Sequence, residues 1–185
     1  MGLTVVADRR TSVSRMSDIR YHIARRRVPL GFVFGILALW LARPTPTSLA
    51  AGAAFAIAGE AFRIWAAGHL EKGREVTMSG PYRMTRHPLY LGSSLIGVGL
   101  AIASASVVVT VLVTVYLAAT MAAAIGSEEA HLTEKFGVAY PQYRGGTAPG
   151  TERRFSTTRA LRNREYRAVG GLILGIAVLT WKALR

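Results

Sequence analysis

The chain has 185 residues, 51% of them hydrophobic, with 23 lysines and arginines against 10 aspartates and glutamates. Long apolar runs alternate with arginine-rich segments, as in membrane spans joined by basic loops, which argues against nucleic-acid binding as the reason for a pI near 11.2. The absence of cysteine from the sequence excludes disulfides, a cysteine nucleophile and thiolate metal sites.

The first segment, residues 1–27, is a basic arm that contains seven arginines. Its apolar patch at 3–7 is too short for a signal peptide, so we expect a flexible or interfacial arm over anionic lipid headgroups. Five apolar runs follow, and the prediction is an all-α, polytopic transmembrane helix bundle of about five spans. The runs cover 28–42, 48–69, 89–104, 107–126 and 168–182.

The distribution of basic residues predicts the orientation. The arm, the segment 70–87 and the segment 127–167 together hold 19 lysines and arginines. An odd number of spans with a cytoplasmic N-terminus places all of them inside, as the positive-inside rule requires. We therefore expect a membrane core at 28–155, with four spans and a polar cytoplasmic segment, followed at 156–185 by a basic interfacial helix and the fifth span, in the cytoplasmic membrane.

The loop before the third run contains the first candidate site. Pro88 suits the first position of a helix, and His87 then becomes its N-cap. The helix N-terminus, with Arg83 and Arg86 close in sequence, is suited to a carboxylate or a phosphate. The alternative is that these arginines only meet lipid headgroups.

Small side chains are dense along the third run. They allow a neighbouring helix to approach closely, or they leave room for a flat ligand such as adenine. The small residues are Gly92, Ser93, Ser94, Gly97 and Gly99.

The segment after the fourth run contains the second candidate site. If that helix continues without a break, Glu128 and Glu129 lie about 100° apart around it, so one can face a ligand while the other pairs with a basic side chain. A carboxylate matches a ribose diol and attracts a positive charge. Tyr140, Tyr143 and Arg144 follow, as the wall of a pocket or as interfacial anchors.

A charged pair lies inside the second run. Glu60 and Arg63 share one helix face, where they either neutralise each other or leave Arg63 to bind a substrate. The histidines lack the spacing of a metal site, and we expect no metal.

These motifs together resemble a known family. Gly80-Pro81-Tyr82-Arg83, the segment from Arg86 to Gly92, the glutamate pair and the later tyrosines are similar to the isoprenylcysteine carboxyl methyltransferases and the related phospholipid methyltransferases. The similarity extends from about Glu60 to about Pro149.

The resemblance implies an S-adenosylmethionine-dependent enzyme that methylates a carboxylate or similar nucleophile on a lipid-like or isoprenoid substrate. It implies Arg63, Arg83 and Arg144 as candidates to hold the acceptor. The implied cofactor-binding residues are His87, Pro88, Tyr90, Gly97, Gly99, Glu128, Glu129 and Tyr140. The alternatives are N-methylation of a phospholipid amine, an NADPH-dependent reductase of the sterol-reductase type, and a membrane scaffold without enzymatic activity.

Overall fold

The computed structural model describes residues 31–146 and 153–185, and this part of the chain is all-helical, as predicted. The basic arm, residues 1–27, lies outside the described residues. Three helices are long and apolar enough to cross a membrane, namely α2 (Pro46–His69), α4 (Val107–Phe136) and α7 (Tyr166–Ala183). Two shorter apolar helices, α1 (Gly31–Leu41) and α3 (Pro88–Ser104), accompany them, so that five apolar helices correspond to the five predicted runs.

Short helices lie in the polar segments between the long ones. A 3-10 helix (Gly80–Arg83) precedes α3, α5 (Ala139–Arg144) follows α4, and α6 (Thr157–Arg162) precedes α7.

The two tight turns and the C-terminus meet at one end of the bundle. The Arg43 backbone N–H donates a hydrogen bond of 2.7 Å to the Ser104 carbonyl, which joins the α1–α2 and α3–α4 turns. Lys182 donates to three carbonyls at the end of α1, where a positive charge is favourable. These are the carbonyls of Leu39, Trp40 and Ala42, at 2.8, 2.9 and 2.6 Å. The polar segments therefore gather at the opposite end.

The α4 helix continues from its apolar part into the polar residues of the second motif, as predicted. Its 30 residues extend for about 45 Å, whereas the hydrocarbon core of a bilayer is about 30 Å thick. The polar residues from Ser127 onward therefore project beyond the apolar part of the helix.

The α2 and α3 helices are in backbone contact through glycines. A Cβ atom added to Gly59 would lie 2.7 Å from the Gly92 carbonyl oxygen, and one added to Gly99 would lie 2.5 Å from the Gly52 carbonyl oxygen. Small residues thus allow these two helices to pack at the closest range, which is how membrane helices associate without a hydrophobic driving force.

The segment after residue 152 packs over the C-terminal end of α2. The Arg159 Nε donates to the Gly68 carbonyl at 2.8 Å. The Asn163 side-chain amide donates to the carbonyls of Ala67 and Leu70, both at 2.9 Å. These bonds satisfy carbonyls that the end of a helix leaves unpaired.

Glu71 fastens the same segment by ion pairs. Its carboxylate lies 3.1 Å from Arg153, 3.5 Å from Arg159 and 3.0 Å from Arg162. Desolvation alone would raise the pKa of Glu71, but the three arginines outweigh it and lower the pKa. The predicted basic interfacial helix thus directs two of its arginines, Arg159 and Arg162, to a carboxylate of the protein.

We expect Glu71→Gln to lower the unfolding temperature of the detergent-solubilised chain at pH 7, because the charge shared by three arginines is lost. Since the folded state lowers the pKa of Glu71, its contribution is present above the ordinary glutamate pKa and is lost as the pH falls below it. The difference from the wild type should therefore begin to shrink as the pH falls through about 4.3, and it should disappear only below the lowered pKa of the folded state. Glu75→Gln is the control, because Glu75 pairs with Arg153 at the edge of the cluster, and an equally large effect there would contradict the central role of Glu71.

Candidate functional site

A polar cavity of about 1060 Å³ opens where the polar segments gather. Its walls come from the loop after α2, the start of α3, the C-terminal half of α4, and α5. The polar and aromatic residues that line it include Arg63, Glu71, Tyr82, Arg86, His87, Tyr90, Ser93, Glu128, His131, Tyr140 and Tyr143. Both motifs singled out in the sequence thus face one cavity. We call it the polar cavity.

The start of α3 has the predicted form. Pro88 is the first residue of the helix and is buried, and His87 is the N-cap with a non-helical backbone. The His87 Nε2 lies 3.1 Å from the Glu129 Oε1, and the ring lies 5.8 Å from the Tyr90 ring. His87 therefore joins the N-terminus of α3 to α4 at the wall of the cavity.

The two glutamates of α4 have different surroundings, as the helical spacing predicts. Glu128 lines the polar cavity. The Glu129 carboxylate instead forms ion pairs, with nitrogens of Arg86 and His87 both at 3.1 Å and a nitrogen of Arg144 at 3.8 Å. Glu129 therefore fixes the surroundings of the cavity, and Glu128 is available to a ligand.

The two tyrosines of α5 differ in the hydrogen bonding of their hydroxyl groups. The Tyr143 hydroxyl donates to the Tyr82 carbonyl at 2.6 Å, which fastens α5 to the 3-10 helix. Tyr140 is only 2% exposed, and its hydroxyl lies near the Glu129 carboxylate but makes no hydrogen bond of ordinary length to any group within 31–146 and 153–185. Burial and the nearby charge of Glu129 raise the pKa of Tyr140 to about 12, so it stays protonated. A buried hydroxyl without a partner is rare in folded proteins, and a ligand in the cavity can supply the missing acceptor.

Arg63 is held from several sides at the inner end of the cavity. Its Nη2 donates to both carboxylate oxygens of Glu165, at 2.9 and 3.0 Å. Its Nη1 donates to the Ser93 hydroxyl, and its Nε lies 3.7 Å from the Glu60 Oε2. One guanidinium thus lies between two carboxylates.

Glu165 is a residue of this site that the sequence did not reveal. It lies 102 positions from Arg63, and nothing in the local pattern connects the two. One signal was present: an acidic residue directly before the last apolar run, in a segment otherwise rich in arginine.

The other predicted site residues lie elsewhere. Arg83 and Arg144 are exposed and do not line the polar cavity. Gly97 faces α4, where an added methyl group would strike Leu117, and Gly99 faces the backbone of α2. Of the two roles that the sequence left open for these glycines, the structure places them in helix packing.

We expect Gly99→Ala to lower the free energy of unfolding by about 1–3 kcal/mol, because the added methyl group pushes α2 and α3 apart. Gly126→Ala is the matched control, since nothing lies within 4 Å of its added Cβ. It should be neutral or stabilising by up to about 1 kcal/mol. Unfolding in detergent measures both, and a lower affinity for S-adenosylhomocysteine with unchanged stability would instead place Gly99 in a cofactor site.

A second cavity of about 550 Å³ lies between α1, α2, α3 and α7. Its walls are mostly apolar and small, and they include Gly52, Gly99, Gly171 and Gly175. We call it the apolar crevice. It shares Gly31, Arg63, Ser93 and Tyr116 with the polar cavity, so the two spaces meet at these residues.

The chain matches a known protein family. The sequence model of a family described as phospholipid methyltransferase matches residues 27–139, more than half of the chain. The match includes Arg63, His87 and the glutamate pair, whereas α6 and α7, with Glu165, lie beyond it. No curated protein and no solved structure matches the chain. Among the residues that the structure describes, no group of three or more histidines, aspartates and glutamates is placed to hold a metal ion.

Proposed function

The chain belongs to the phospholipid methyltransferase family, and from this premise we propose that it transfers a methyl group from S-adenosylmethionine to a lipid-like acceptor at the cytoplasmic face of the membrane. Membership and the apolar helices make it an integral membrane methyltransferase. A sterol-reductase type of activity has no support in the family match.

The buried Tyr140 hydroxyl in the polar cavity, which makes no hydrogen bond of ordinary length to the described residues, is the observation that supports cofactor binding most directly. A volume of about 1060 Å³ is large enough for a nucleoside-sized ligand. Glu128 would accept hydrogen bonds from a ribose diol, and Tyr140 would donate one. The N-terminus of α3 at His87 and Pro88 would favour the carboxylate of an amino-acid group. The residues present therefore fit the cofactor.

The chain contributes alignment and shielding to the reaction. When bound, S-adenosylmethionine supplies an electrophilic methyl group. Leu117, Met121 and Ala124 of α4 give the polar cavity an apolar wall, which excludes water from the reacting atoms. Arg63 and Ser93 lie where both cavities meet, and they would hold the head of an acceptor whose tail remains among apolar helices.

The groups that already bind Arg63 bear on the chemical class of the methyl acceptor. The sequence favours a carboxylate acceptor held by an arginine, and Arg63 is the one of the three predicted arginines that lines the cavity. Its Nη2 is already bound by Glu165, however, so an acceptor carboxylate would have to displace this partner. An amine acceptor requires no displacement, and we therefore propose N-methylation as the second candidate. Its nitrogen must lose a proton before it attacks the methyl group, and His87 or Glu128 at the polar cavity would be the base. Mass spectrometry of lipid acids and lipid amines after incubation with labelled methyl donor tests both.

We expect Tyr140→Phe to weaken S-adenosylhomocysteine binding by about 2- to 10-fold, because one hydrogen bond to the ligand is lost. The unfolding temperature should stay unchanged, since this hydroxyl has no partner in the described part of the protein. Tyr143→Phe is the matched control: it removes the bond to Tyr82 and should lower the unfolding temperature with less effect on binding.

Calorimetry of S-adenosylhomocysteine binding in detergent and in nanodiscs measures these affinities. No binding heat from the wild type in either medium would contradict the proposed function itself. Equal affinities of the wild type and Tyr140→Phe would contradict only the assignment of Tyr140.

A further inference from the structure

Glu60 is a buried carboxylate without a hydrogen bond. It lies in the apolar helix α2 and is 5% exposed, and neither of its side-chain oxygens has a partner in the part of the chain that is described. Buried polar groups are normally hydrogen-bonded, and ionisable residues inside membrane bundles commonly face a functional cavity. A complementary donor is therefore missing at Glu60.

Arg63 does not supply this donor. Its two terminal nitrogens are engaged by Glu165 and Ser93, and only its Nε faces Glu60, at 3.7 Å and without a hydrogen bond. Two carboxylates around one guanidinium give the cluster a net negative charge when both are ionised. Such a cluster favours a cation and repels an anion.

The space in front of Glu60 has the shape and chemistry of a site for an apolar chain. Glu60 lines the apolar crevice, whose other walls are mostly small and apolar residues of α1, α2, α3 and α7. Three positions further along α2, Arg63 marks the junction with the polar cavity, about 4.5 Å away along the helix axis. A molecule in the crevice can thus place its polar end near that junction.

We propose that the apolar crevice binds the tail of a lipid-like amine and that Glu60 binds its ammonium group. The charge of the Glu60, Arg63 and Glu165 cluster selects the cation, and the small side chains leave room for the tail. Only the further identification of this amine as the methyl acceptor rests on the proposed function, since binding itself requires no cofactor.

Three probes with the same tail test this site on the full-length chain in detergent: dodecylamine, dodecanol and dodecanoic acid. We expect the wild type to bind the amine at least 10-fold more tightly than the alcohol, and the acid most weakly. Glu60→Gln should abolish the preference for the amine over the alcohol. Each probe partitions into the micelles to the same extent whichever variant is present. Differences in binding between variants therefore reflect binding at this site.

Two glycines of α7 supply a test of the crevice that leaves Glu60 intact. Gly175 lines the crevice and has nothing within 4 Å of an added Cβ, so Gly175→Leu should fold, fill the space and weaken binding of all three probes. Gly170 lies on the same helix, has equally open surroundings and does not line the crevice. Gly170→Leu should therefore bind like the wild type.

Equal binding of amine and alcohol by the wild type would overturn the proposal, and so would an amine preference that survives Glu60→Gln. Tight amine binding that Gly175→Leu leaves unchanged would place the amine outside the crevice and also overturn it. Calorimetry with S-adenosylhomocysteine on the same sample separates the two hypotheses. Amine selectivity without cofactor binding would contradict the proposed function alone, and cofactor binding without amine selectivity would contradict the crevice site alone.

Discussion

Replacement of Arg63 with methionine is expected to lower the free energy of unfolding by about 3–5 kcal/mol, because it leaves buried carboxylates without a cation. Glu165 is 6% exposed and takes two hydrogen bonds from Arg63, and Glu60 lies on its other side. Both carboxylates are buried, so water can compensate for only part of the loss. Unfolding in detergent at pH 7 measures the effect.

Two further variants distinguish the stability lost with the ion pair from a general effect of removing an arginine. Arg144→Met removes a side chain that is 62% exposed and 3.8 Å from Glu129, and should cost less than about 1 kcal/mol. Combining Arg63→Met with Glu165→Gln should restore part of the lost stability, since one unpaired charge disappears. A cost below about 1 kcal/mol for Arg63→Met would contradict the structural role assigned to the cluster.

Glu128→Gln is expected to weaken S-adenosylhomocysteine binding by about 10- to 100-fold with little change in stability, because a charged acceptor in the polar cavity is lost. Glu129→Gln should act differently. It removes the ion pairs to Arg86 and His87, so both the unfolding temperature and the affinity should fall.

Glu134→Gln is the control for this pair, since Glu134 lies on the same helix, is exposed and does not line the polar cavity. It should match the wild type in stability and in binding. The assignment of the glutamates would be wrong if Glu128→Gln bound S-adenosylhomocysteine as the wild type does, even though the family would still be right.

Residues beyond the family match form part of the proposed acceptor site. Glu165 precedes α7 and binds Arg63, and α7 forms a wall of the apolar crevice. The Glu71 cluster holds the preceding segment on the end of α2. The match ends at residue 139, so the proposed acceptor site includes a segment that the family model does not cover.

The sequence by itself determined the class of fold and the local geometry of the two motifs. Apolar runs of helical length between basic segments permit few structures other than a helical membrane bundle, because backbone groups in hydrocarbon must be satisfied within the span. The roles of His87 and Pro88 at a helix start follow from proline geometry. The different directions of Glu128 and Glu129, about 100° apart, follow from 3.6 residues per turn. All of these rules act within a few residues, which is why a sequence reveals them.

The tertiary structure alone decided which distant groups become partners. Gly97 and Gly99 could serve a ligand or a helix contact, and the choice depends on which helices lie beside α3. Arg63 could bind Glu60 or a substrate, and in the structure it lies near Glu60 but takes its hydrogen-bonded carboxylate partner from 102 positions away. Helical periodicity fixes the face on which a side chain lies, whereas the packing of the bundle fixes what lies opposite. The polar cavity and the apolar crevice, which meet at Arg63, result from that packing.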